Sequence, residues 1–223
     1  MRLPIMLLAL TGIVGVLLSG CRSDSETDDA AGPAPAEVDI GKVLSVQSTF
    51  APPFAVRTIG KTAIDPKLLS PLQFQPGLTW DPADCAQYAW TLPAGLHGNI
   101  ASVSAEGEGN RFIAMAIETS ERVDLNPDSV NRCGHVTFTA PEMRGVVDVI
   151  DAPHIEGAQT VGKHRQLQTA VASGELYTYV AYLGDYLVVV TANPLPNPGQ
   201  SVPAVNLERA QQLLIDSVAA VRG

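Results

Sequence analysis

The stretch Leu176–Thr191, LYTYVAYLGDYLVVVT, decides the fold. Leu176 to Leu183 and Tyr186 to Thr191 are rich in aromatic and β-branched residues, which suit a pleated, half-buried surface. Between them stands Gly184-Asp185. A type II′ hairpin turn needs positive φ at its first central position, and glycine accepts it without steric cost. The spacing predicts two antiparallel strands. Leu187 to Val190 is apolar at every position rather than at alternate ones, so this strand belongs inside a sheet with cover on both faces.

Downstream, Leu207, Ala210, Leu214, Val218 and Val221 recur at intervals of three and four, with Glu208, Arg209, Gln212 and Asp216 on other faces. This periodicity predicts an amphipathic helix that lids the sheet. Upstream, Ala101, Val103 and Ala105 alternate with Ser102 and Ser104, then turn at Gly107 to Asn110 into Phe112 to Thr119, a second hairpin. Phe54 to Ile59, Val136 to Thr139, Val146 to Ile150 and Thr160 to Val171 supply further strands. Asp39 to Val46 predicts a short helix. Asp81-Pro82-Ala83-Asp84 has the order of a helix start, with Asp81 as cap, Pro82 at the first helical position and Asp84 near the positive end of the dipole. That helix carries Cys85 and ends near Trp90. The predicted class is α+β: an antiparallel sheet of about six to seven strands, short N-terminal helices and a long C-terminal helix packed on it.

The N-terminus sets the address. Arg2, the apolar run Leu3 to Leu18 and the sequence Leu18-Ser19-Gly20-Cys21 match a bacterial lipoprotein signal with small residues before the cleavage point. The run is shorter than the roughly 20 residues of a spanning helix and breaks into the charged segment after Cys21. Residues 1–20 are therefore expected to be removed and Cys21 to be acylated, which anchors the protein on the extracytoplasmic side of the cell membrane. Residues 21–39 hold six acids with Gly32, Pro33 and Pro35 and predict a disordered acidic tether. Residues 40–223 remain as a single domain.

Charge and cysteine usage narrow the partners. The chain has 14 basic and 23 acidic residues, a formal charge of −9; loss of the leader removes only Arg2, so 13 against 23 leaves −10. Nucleic-acid binding needs clustered lysine and arginine, and no such cluster exists in the sequence. Beyond Cys21 the cysteines are Cys85 and Cys133, and outside the cytoplasm a disulfide is their expected state.

Trp80 to Cys85 (WDPADC), Arg132 to Thr139 (RCGHVTFT), Tyr177 to Tyr182 (YTYVAY) and the closing helix together resemble small mycobacterial lipoproteins of uncharacterised function. More distantly the same segments resemble the extracellular sensor domain of the mycobacterial serine/threonine kinase PknH. The resemblance spans roughly Asp39 to Gly223. It implies a sheet with helices around a cleft for a small ligand, held by two disulfides, of which this chain has cysteines for one.

No stretch offers the chemistry of a known enzyme. Gly-x-Ser-x-Gly is absent, and His97, His135, His154 and His164 lack the spacing of a zinc helix. Asp124, Asn126 and Asp128 have the first three positions of a calcium loop, but Ser129 replaces its glycine and His135 its closing glutamate, so the segment reads as an Asx turn before a short helix at Pro127 to Asn131. Glu106 and Glu108 flank a glycine-rich turn, where carboxylates stay solvated. No cofactor is expected. Tyr177 and Tyr179 share one strand face and, with Arg111 and His135, are the candidate ligand-cleft residues; Arg111, Lys163, His164 and Arg165 are candidates for an anion-recognising rim. The sequence thus predicts a non-enzymatic, lipid-anchored envelope protein that binds a small ligand or envelope component in a sensor-like cleft. The alternatives are an interaction module that docks on an envelope protein without a ligand pocket, and a hydrolase whose site is assembled from distant residues.

Overall fold

Gly184 takes φ +80°, and Leu183 N–H donates to Tyr186 O at 2.9 Å, closing the hairpin that the 176–191 stretch predicts. The computed structural model describes residues 38–69, 72, 74, 77–89, 92, 96–196, 199 and 201–223. Cys21, the leader, almost all of the tether and Trp90 lie outside the described residues. The strands are β1 (Ala55–Ala63), β2 (Thr79–Asp81), β3 (Gly98–Gly107), β4 (Asn110–Thr119), β5 (His135–Ala140), β6 (Met143–Ile150), β7 (Gln159–Thr169), β8 (Ser173–Tyr182) and β9 (Tyr186–Pro194). They form one antiparallel sheet in the order β1-β3-β4-β9-β8-β7-β6-β5-β2.

The sheet has nine strands rather than six or seven. The hairpins join edge to edge instead of splitting, and β2 adds a strand of three residues by pairing Trp80 with Phe138. Asp81 is consequently the last residue of that strand, paired with Thr137, and not a helix cap. The chain then forms a short 3₁₀ turn, Ala83–Cys85, whose N-cap position is Pro82, without a side-chain acceptor, and the helix α2 (Ala86–Ala89).

One face of the sheet is covered by helices. The C-terminal helix α4 (Leu207–Arg222) is capped by Asn206, whose side chain accepts from Arg209 N–H, and buries Ala210, Leu213, Leu214, Val218 and Val221. Beside it runs a ten-residue 3₁₀ helix, Ile40–Thr49, capped by Asp39. The expected helix is 3₁₀ in type because Ile40, Val43 and Val46 bury at a strict spacing of three, the period that a 3₁₀ helix stacks along one edge. These elements pack on Val103, Phe112, Tyr179, Val188 and Val190.

The opposite face carries a second core of Ile100, Ile117, Val161, Val180, Leu187 and Val189. Over it lie the short helices α1 (Pro66–Leu69), α2 and α3 (Pro127–Arg132). Cys85 and Cys133 form a disulfide within a cluster with Val136, Phe138 and Val147. The bond ties the start of α2 to the end of α3 and fixes both against the sheet. Leu187 to Val190 is buried on both sides, as an inner strand must be.

Candidate functional site

The helical layer covers only part of its face. The 3₁₀ helix rests on β1, β3 and β4, and α4 reaches β4, β9 and β8. Ile150 at the end of β6 still packs against the core beneath this layer, but among the described residues the same face opens further along β5, β6 and β7, at Thr137, Val146 and Gln166. Strand register then places a polar row across it: His135 opposite Asp148, Asp148 opposite His164 and His164 opposite Tyr177.

The row is internally bonded. His135 Nδ1 lies 2.6 Å from Asp148 Oδ1, and His164 Nε2 lies 3.0 Å from Glu175 Oε2. Tyr177 OH donates to Glu175 Oε2 at 3.2 Å, while its ring stacks on His164 at 4.1 Å. Burial first and the nearby Glu175 carboxylate second hold the Tyr177 hydroxyl above its ordinary pKa. Beside this row opens a cleft of about 740 Å³. Its floor is Thr137, Thr139, Gln166 and Gln168, its charges are Arg144 and Glu175, and its lip is Pro194, Pro196 and Val202. Arg144 Nε donates to Gln168 Oε1 at 2.8 Å, so the guanidinium is held over the floor.

The four cleft candidates separate. Tyr177 lies at the margin of the helical layer and His135 at the exposed end of the row. Tyr179 is fully buried beneath α4, where its hydroxyl accepts from Gln211 at 3.5 Å; it belongs to the core, because α4 lies over its half of β8. Arg111 alternates with the buried Phe112 and so points to the other face, where Nε donates to Glu106 Oε1 at 2.7 Å. The rim divides in the same way, since alternation on β7 sends His164 to one face and Lys163 and Arg165 to the other. Asp124 binds Arg122 at 2.8 Å and Asn126 caps α3 through Asp128 N–H and Ser129 N–H, so the calcium-like spacing makes the expected Asx turn. Among the described residues no group of three or more His, Cys, Asp or Glu side chains gathers to hold a metal.

A second cleft, of about 490 Å³, lies on the disulfide face between α2, α3 and the sheet. Sequence reasoning missed it. Lys163, 8 % exposed, enters it from β7 and donates to the Tyr88 carbonyl. Desolvation lowers the Lys163 ammonium to about 8 and pushes the Tyr182 hydroxyl in the same cleft up to about 12. The available signal was the alternation Val161, Lys163, Arg165 on a face whose strand partners Val180 and Val147 are apolar.

Fold and clefts together define a class: a disulfide-stapled α+β domain on one antiparallel sheet, with a cleft on each face. The chain belongs to the family described as domain of unknown function DUF5642, whose model matches residues 39–222. The X-ray structure of an uncharacterised Mycobacterium smegmatis protein, the Rv0999 ortholog, is similar at 49% identity and a TM-score of 0.76, covering 85% of this chain and 100% of that one. The crystal structure of the extracellular domain of PknH from Mycobacterium tuberculosis is more distant, with 14% identity, a TM-score of 0.43 and coverage of 83% of this chain and 92% of that one. None of the curated proteins matches the chain. Among the described residues no helix is long and apolar enough to cross a membrane.

Proposed function

We propose that this protein is a lipid-anchored component of the cell envelope, held by acyl chains on Cys21 and facing the extracytoplasmic side, whose domain binds a small polar ligand in the open cleft without transforming it. The observation that carries the reading is the uncovered half of the helical face. Side chains that donate and accept hydrogen bonds line a concavity of about 740 Å³ there, within the size range of small-molecule sites. Short hydroxyl and amide groups on the floor, with one charge of each sign at the sides, suit a neutral or zwitterionic ligand. The disulfide and the leader support the extracytoplasmic address.

Native mass spectrometry of protein purified from its own envelope tests the binding. A small adduct retained by the parent and lost in Ser173→Trp is the expected result. Ser173 lines the cleft, is exposed and stands opposite Gln168 in the β7–β8 ladder, on the face of the floor, so a bulky side chain there enters the cleft. Absence of any adduct across several detergents overturns the reading, and a co-purifying protein in its place favours a docking module. Cys21→Ala is expected to leave the precursor unacylated; a variant still acylated removes the anchor.

A further inference from the structure

We propose that the open cleft takes a short free peptide of two or three residues, whose C-terminal carboxylate meets Arg144 and whose N-terminal ammonium meets Glu175. The proposal rests on the reading of that cleft as a ligand site and names the class of its ligand.

Register sets the two charges a definite span apart. Arg144 on β6 stands opposite Gln168 on β7, and Gln168 stands opposite Ser173 on β8. Glu175 lies two residues beyond Ser173 on β8, and so on the same face of the sheet. Two strand spacings across and two residues along separate the α-carbons of Arg144 and Glu175 by about 12 Å. Neither head leans towards the other. Arg144 Nε is held by Gln168 Oε1 at 2.8 Å, and Glu175 Oε2 is held on its far side by His164 at 3.0 Å and Tyr177 at 3.2 Å. An extended chain of two or three residues covers about 7–10 Å between its ends, and a charged hydrogen bond adds about 3 Å at each. Such a peptide bridges the pair. A single amino acid, with both charges on one α-carbon, falls short.

The chemistry at each end fits. With Nε engaged, the two terminal nitrogens of the Arg144 guanidinium remain to fork a carboxylate. Both bonds to Glu175 fall on Oε2, which leaves Oε1 to accept from an ammonium. Between the ends, Gln168 and Gln166, the latter opposite Glu175, flank the midpoint of the span. An amide side chain donates to a carbonyl and accepts from an N–H, the two groups of a peptide linkage. Pro194, Pro196 and Val202 give an apolar lip for the peptide's side chains. Arg144 and Glu175 are the charged residues of the lining, so a lone anion or cation leaves one of them unmatched.

Native mass spectrometry of the protein purified from its envelope tests this with Ala-Leu-Ala, its N-acetylated form, its C-amidated form and maltose as a neutral polar probe. The free peptide is expected to bind about tenfold or more tightly than either blocked form, since a hydrogen bond between charged groups is worth that much. Arg144→Gln, at an exposed position where the fold is kept, is expected to erase the preference for the free carboxylate and to retain that for the free amine. Glu175→Gln is expected to do the reverse. Equal binding of free and blocked peptides, tighter binding of maltose, or preferences that survive both substitutions overturn the proposal, as does absence of peptide binding. Should a native adduct of another class still be lost in Ser173→Trp, the cleft stands as a ligand site and the peptide class alone fails. Should neither adduct nor probe bind, both readings fail.

Discussion

The His164 and Tyr177 rings lie face to face, centroids 4.1 Å apart and planes 4° from parallel, on residues directly opposite in the β7–β8 ladder. Glu175 binds both, and so ties the stack to the edge of the open cleft. Tyr177→Ala is expected to cost about 2 kcal/mol in urea unfolding, through lost ring burial and stacking. Tyr177→Phe keeps the stack and is expected to cost under about 1 kcal/mol. Equal losses in the two variants would assign the role to the hydroxyl.

Cys85 and Cys133 are 48 residues apart in sequence, with their α-carbons 5.6 Å apart. Closing a loop of that length stabilises the fold by up to about 4 kcal/mol through the unfolded chain. Replacing both cysteines by alanine is therefore expected to lower the melting temperature by roughly 10 °C, at a few degrees per kcal/mol for a domain of this size. An unchanged melting curve would show that the bond does not stabilise the fold.

Lys163 makes stability depend on pH in a set direction. Its folded pKa of about 8 lies below the ordinary 10.5, so between those values the unfolded chain holds more protons and stability rises with pH. The cost of the buried charge is complete below about pH 8 and gone above about 10.5. Tyr182, at about 12, and Asp124, bound to Arg122, face the same cleft, and the tyrosine stays neutral throughout this window. Lys163→Met is expected to stabilise the protein at neutral pH by on the order of 2 kcal/mol, with the gain shrinking towards pH 10. Denaturant unfolding at several pH values measures it, and a gain that grows with pH contradicts the assignment.

Gly98 begins β3 at φ +143°, and an added Cβ would stand 1.8 Å from the Glu118 carbonyl oxygen. Gly98→Ala is expected to cost more than about 3 kcal/mol, since both backbone angle and contact forbid it. Gly174→Ala, with open space around it, is expected to change stability by less than about 1 kcal/mol. Comparing their melting temperatures checks the contrast.

Much of the frame was legible because its signals are local. Gly184-Asp185 fixes one hairpin by turn chemistry alone, and the spacing from Leu207 to Val221 fixes the closing helix. β2 was not legible, because three residues cannot display a period and Trp80 becomes strand only through its pairing with Phe138. The site was harder to read. Tyr177 and Tyr179 are equivalent in sequence pattern, and what separates margin from core is where α4 stops, a matter of long-range packing. Lys163 reads in the sequence as part of a rim with His164, and only the registers of β6 and β8, which pair it with Val149 and Thr178, set it on the opposite, buried face.

The two outer strands of the sheet carry a further consequence. An exposed edge is a template on which another copy can add a strand. Here one edge is β2, too short to seed such growth. The other is β1, mostly exposed, where Arg57 and Lys61 bring charge and the register shifts between Ile59 and Thr62. Neither edge offers a long, flat ladder, so copies crowded side by side meet as separate particles and resist growth into fibres.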